Sequence, residues 1–149
     1  MERDPVHLDE LDERILEELT RDGRQSETAL AKTLHISRAH AYARIGRLQD
    51  EEVITRFSAV VDPVRAGMRT SAYVTLKLRQ HSWRDVKEAL KEIPEIYHVS
   101  LVGGNFDVLL LVRARDNLDL RRVVFDFIQP LPGVLDTQTF VIFEDADTR

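Results

Sequence analysis

An α+β chain in two parts is predicted, helical first and sheet-rich second, from three observations. Two short helical stripes, each opened by a serine at an N-cap position, lie within residues 26–48. Beyond Asp62-Pro63 and Gly67 the pattern changes to strands alternating with two further helical stripes. One strand-like run, Val108 to Val112, is apolar at every position and does not alternate at all.

Residues 1–7 read as a loose leader. Leu8, Leu11, Ile15, Leu16 and Leu19 then recur at helical spacing and predict an amphipathic helix ending near Asp22-Gly23, with Gly23 as its C-terminal cap. Its acidic residues are expected to form a solvated face. Ser26 and Ser37 sit where a hydroxyl accepts a bond from a free first-turn amide. Between them Ala29, Leu30 and Leu34 form an apolar stripe, and His35-Ile36 makes the turn. After Ser37, the residues Ala41, Ile45 and Leu48 fall at i, i+4 and i+7 and predict the buried face of a third helix. Three helices with a tight turn between the second and third describe a helix-turn-helix unit. The β-branched run VITRFSAVV predicts a short strand over residues 53–61, giving a winged-type unit.

From Ser71 the expected order is β-α-β-β-α-β. SAYVTLKL is a strand with Ala72, Val74, Leu76 and Leu78 on one face. Trp83, Val86, Leu90 and Ile93 mark a helix stopped by Pro94. IYHVSLV and FDVLLLVRA form a hairpin about Gly103-Gly104-Asn105. Leu120, Val123, Val124, Phe127 and Ile128 mark a helix over residues 117–129, and DTQTFVIF is the last strand. That order is a ferredoxin-like sandwich, an antiparallel sheet with both helices on one face. Two helices cover only one face, so the unbroken apolar run at Val108–Val112 predicts a second copy of the sheet on the other. The expected domains are residues 1–62 for the helix-turn-helix with its connecting strand, 63–70 for a hinge, and 71–149 for the sandwich.

Composition narrows the function. The chain has 149 residues, 43% of them hydrophobic, enough for real cores. It has no cysteine, which excludes disulfides and thiolate metal sites. No apolar run approaches the roughly 20 residues a membrane span needs, and the N-terminus MERDPVHLDELDE is acidic where a signal peptide is basic. A soluble cytoplasmic protein is expected.

The net charge of −5 is unevenly spread. Residues 24–48 hold Arg24, Lys32, Arg38, Arg44 and Arg47 against Glu27 alone, while residues 1–22 hold nine acids against three arginines. A basic segment inside an acidic chain is the footprint of local phosphate binding. The outward face of the third helix carries Ala39, Ala43, Gly46 and Arg47, flanked by His40 and Tyr42. Gly46 in a helix costs roughly 1 kcal/mol relative to Ala. A bare face of this kind suits close approach to a major groove.

Catalytic chemistry finds little support. The five histidines (His7, His35, His40, His81 and His98) are scattered without metal-ligand spacing, and no phosphate loop or nucleophile elbow is present. Neither metal nor cofactor is expected. Gly103 to Asp107, GGNFD, is the suggestive stretch: bare glycine amides suit a carboxylate and Asp107 suits an ammonium group, although a plain hairpin turn also demands Gly-Gly-Asn. Thr137 and Thr139 share one side of the last strand and offer hydroxyls to the same ligand.

Taken in order, these segments resemble the leucine-responsive/asparagine-regulator (Lrp/AsnC) family of transcription regulators. The resemblance runs through LDELDERILEELTRDGR, then Ile36, Ser37, Arg44, Ile45, Arg47 and Leu48, then Val53-Ile54 and VDPVRAG at residues 61–67. It continues in Gly104 with Asp107, LPGV at residues 131–134, and Thr137 with Thr139. It implies double-stranded DNA as partner, with Ser37, Arg38, His40, Tyr42, Arg44 and Arg47 facing it, and Arg44 close enough to the buried face to clamp a phosphate or the domain core. It also implies a homodimer through the sheets, possibly an octamer, and an effector that is usually an amino acid, bound near Gly103, Gly104, Asn105, Phe106 and Asp107.

Three residues depart from the family pattern. Glu52 and Gly103 stand where glycine and threonine are usual, and Gly46 where a long polar residue is. Two other readings stay open at this point. One is an enzyme on the same scaffold, resembling the siroheme decarboxylases, with His98 and Arg113 as its candidates. The other is an amino-acid-binding oligomer without DNA binding.

Overall fold

The computed structural model describes residues 3–146. By its contacts the chain divides into Met1–Val60 and Val61–Arg149. The first unit is three helices: α1 (Glu10–Arg21), α2 (Glu27–Leu34) and α3 (Arg38–Asp50). Each starts on a side-chain cap: Asp9 accepts from the Asp12 amide, Ser26 from Ala29 and Ser37 from His40. Their apolar faces meet in a core of Ile15, Leu30, Leu34 and Leu48, with Ile45, Val53 and Ile54 packed against it. Ala41 is also fully buried. Ala31, not the expected Ala29, completes the buried side of α2; Ala29 lies exposed one turn edge away.

Three local expectations are corrected here. Gly23 does not close α1 in a left-handed turn, because the extended residue Asp22 caps it. The strand expected over residues 53–61 is absent: Val53 and Ile54 drop into the helical core, and the rest is irregular and exposed. β-branched residues favour extended backbone, but a strand needs a neighbour to take its amides and carbonyls, and the helical unit offers no strand edge. The described part of this unit is therefore all-helical. The acidic face of α1 is also not wholly solvated, since Asp12 is buried.

The second unit is the expected β-α-β-β-α-β sandwich: β1 (Thr70–Leu78), α4 (Trp83–Lys91), β2 (Ile96–Leu101), β3 (Val108–Ala114), α5 (Asn117–Arg122) and β4 (Val134–Val141). The antiparallel sheet has strand order β2-β3-β1-β4. Ala72, Val74 and Leu76 of β1 and Val108, Leu110 and Val112 of β3 form its covered face, packed on Val86, Leu90, Leu120 and Ile128. The helix expected to run to residue 129 changes pitch after Arg122, and Val123–Ile128 is a π-helix. Its wider turn keeps Val123, Val124 and Ile128 inside but turns Phe125 and Phe127 outward, so Phe127 leaves the stripe in which it was expected.

Candidate nucleic-acid interface and effector loop

α3 is placed by its own ends. The Ser37 hydroxyl accepts from the His40 amide at 3.1 Å, which fixes the first turn and leaves its O–H free to donate. At the other end no glycine is available, and Glu52 itself takes the left-handed conformation at φ 56° while the Val53 and Ile54 amides both bond Leu48 O at 2.9 Å. A side chain in that conformation costs roughly 1–2 kcal/mol.

Between these ends the expected groove-facing residues part into two groups. Ala39, His40, Tyr42 and Ala43 are exposed, as is Arg38, whose nearest acid is Glu27 at 3.7 Å. A Cβ built on Gly46 would meet nothing within 4 Å, so packing inside the unit does not require this glycine.

Arg44 and Arg47 reach back toward α1 instead. Arg44 donates to Asp9 at 2.6 Å and to Asp12 at 3.0 Å. Arg47 donates to the other Asp12 oxygen and to Glu51 at 2.9 Å. Asp12 also accepts from the Asp9 amide at 3.1 Å, closing a capping box. Burial pushes the Asp12 carboxyl up, but the Asp9 amide and the two guanidiniums outweigh it and hold the group at about 2. Asp12 is thus the central residue of this surface that sequence reasoning placed in solvent. The available signal was the aspartate pair three residues apart at a helix start.

The GGNFD stretch is a loop between β2 and β3, with Asp107 in the loop and not in the strand where it was expected. Gly103, Gly104 and Asn105 are exposed, and Gly104 has φ +144°, which favours glycine. Asp107 is tied on three sides: its amide donates to Leu76 O, its carbonyl accepts from Val102, and its carboxylate accepts from the Leu78 amide at 2.7 Å. Lys77 lies 3.9 Å from the same oxygen. Phe106 is half-buried beside it.

Thr137 and Thr139 pair with Leu76 and Val74 on the helix-covered side of the sheet. They line a cavity of about 600 Å³ with Arg121, Phe125 and Gln129, and the Gly103–Asp107 loop does not border it. Within one chain the loop and the threonines are therefore not brought together. The open face of the sheet carries Tyr73, registered against Leu111 and Phe140, and Leu109 one pair further on. His98 lies on β2, exposed and bonded to Ser100 at 2.8 Å.

A capped helix-turn-helix followed by a sandwich of this topology defines a transcription regulator with a separate ligand-binding domain. The AsnC-type helix-turn-helix domain matches residues 8–49, and the Lrp/AsnC ligand binding domain matches residues 71–149. A proline dehydrogenase transcriptional activator of Rhizobium radiobacter is 36% identical over 142 residues, covering 93% of this chain and 91% of that protein. A like-named activator of Rhodobacter capsulatus is 33% identical over 140 residues, 92% and 91% of the two chains. Among solved structures, E. coli AsnC superposes with a TM-score of 0.87 at 21% identity over 97% of both chains. An AsnC family regulator from Agrobacterium tumefaciens gives 0.86 at 25% identity over 94% and 93%. The chain belongs to the Lrp/AsnC family and is a transcription regulator, not an enzyme.

Proposed function

We propose that this regulator binds promoter DNA in the cytoplasm as a dimer or larger assembly, and that an amino acid shifts its assembly or its affinity. The exposed, nearly bare side of α3 carries the reading: Ala39 and Ala43 are open, and Gly46 is free of any packing demand. Such a surface lets the backbone approach a groove closely. Ser37, Arg38, His40 and Tyr42 form the groove-facing set at its N-terminal end, and Arg44 and Arg47 fix the helix to α1. The half-buried apolar residues Leu109 and Leu111, with Tyr73 and Phe140 beside them, support a second copy packed on the open sheet face.

The amino acid is placed at Gly103–Asp107, where exposed glycine amides suit its carboxylate and Asp107 retains lone pairs for its ammonium group. Thr137 and Thr139 join that site only through another subunit. Proline is the first amino acid to test, because two relatives are named as activators of proline dehydrogenase transcription.

The test is a gel shift on the DNA upstream of the protein's own gene, at two salt concentrations, with and without proline and a pool of the other amino acids. A salt-sensitive shift that the amino acids alter is expected. A folded, oligomeric protein that shifts no DNA under any of these conditions would refute the reading.

A further inference from the structure

We propose that Asp12 is a charge mask on α3: by holding Arg44 and Arg47 it withdraws two guanidiniums from phosphate and leaves DNA contact to the first turn of the helix. This rests on the reading that α3 enters a groove.

Asp12 is 1% exposed and its two carboxylate oxygens divide the work, Oδ1 taking Arg44 and Oδ2 taking Arg47 and the Asp9 amide. Asp9 and Glu51 complete the ring, so three carboxylates face two guanidiniums. His7 and His40 border the same shallow pocket. A guanidinium leaving this ring for a phosphate gains an exposed, salt-screened contact. It leaves behind a buried carboxylate short of a partner, which is the more expensive side of the exchange.

Two of the five basic residues between 24 and 48 are therefore already neutralised. The local positive charge read from the sequence overstates what DNA meets. The gain from masking is selectivity: fewer free cations mean weaker attachment to arbitrary duplex, while the side chains on the first turn keep their reach to base edges.

The experiment measures binding of a short random-sequence duplex by fluorescence anisotropy across a salt series, with circular dichroism on each variant. Asp12→Asn should bind this duplex more tightly at low salt. Its slope of log K against log salt should steepen by about 0.9 for each released arginine. Arg44→Gln and Arg47→Gln alone should leave the slope unchanged, and the triple variant, which has no arginine left to release from the ring, should return to the natural slope.

A flattening of about 0.9 in either single arginine variant would show that arginine on phosphate and overturn the proposal. So would an unchanged slope in a folded Asp12→Asn protein. If Asp12→Asn does not fold, the arginine variants decide alone. A natural chain without salt-dependent duplex binding overturns the groove reading itself, which no difference between variants imitates.

Discussion

Asp9 and Asp12 stand three residues apart at the start of α1, as Asp116 and Asp119 do at the start of α5, and in both pairs the first aspartate accepts from the amide of the second. Both second aspartates are buried and both carboxyls are held at about 2. The partners differ. Asp119 takes Arg115 and Arg122, four residues before and three after it, with Glu95 added through Arg122 at 2.6 Å. Asp12 takes both its arginines from another helix, 32 and 35 residues along the chain. One spacing thus closes a helix end on itself in the sandwich and ties two helices together in the helix-turn-helix.

That contrast predicts unequal costs. Asp12→Ala strips a buried carboxylate from two half-buried guanidiniums and removes half of a capping box. It should destabilise the helical unit by about 3–5 kcal/mol in denaturant unfolding. Asp119→Ala should cost the sandwich less, about 1–3 kcal/mol, because Arg115 is largely exposed and returns to water. Equal losses would break the distinction between tertiary clamp and local closure.

Acid acts on both sites together. For Asp12 burial works against the charged form but its amide and arginine partners prevail; for Asp119 the Arg115 contacts dominate. A depressed carboxyl contributes stability that is fully present above its unfolded pKa and is lost as pH falls through the folded one. The window is therefore from about pH 4 down to about pH 2, with roughly 2 kcal/mol at stake in each unit. Thermal melts across that range should fall in both units, and the Asp12→Ala protein should lose the helical share of this dependence.

The smallest effect expected concerns backbone. The sandwich meets its left-handed position before β4 with Gly133 at φ +97°, whereas the helical unit uses Glu52 at φ 56°. Glu52→Gly should stabilise the helical unit by about 0.5–1 kcal/mol, the relief of side-chain crowding being partly offset by the freer unfolded chain. Denaturant midpoints of the two proteins compare this directly.

What could be read from the sequence followed the range of the interaction. Ser26 and Ser37 act within three residues and were legible as caps. The element order of the sandwich followed from local alternation, and the apolar run Val108–Val112 marked β3. Residues 53–61 misled because strand composition is local but strand pairing is not. The exposure of Arg38, His40 and Tyr42 was legible, because they point outward by helical geometry alone. The fixing of Arg47 was not, because the carboxylate that claims it lies on a different helix. Thr137 and Thr139 were correctly placed on one side of β4, but period-two alternation does not say which side faces the GGNFD loop.

The π turn at Val123–Ile128 has a consequence for length. An α turn uses about 3.6 residues, and closing each hydrogen bond one residue further on accommodates a surplus residue over nearly the same rise. The Gln129 amide reaching Val124 O is such a bond. The segment between the Asp116 cap and Pro130 thus holds more residues than α turns of the same rise would, and the extra length shows as the outward bulge of Phe125, Asp126 and Phe127.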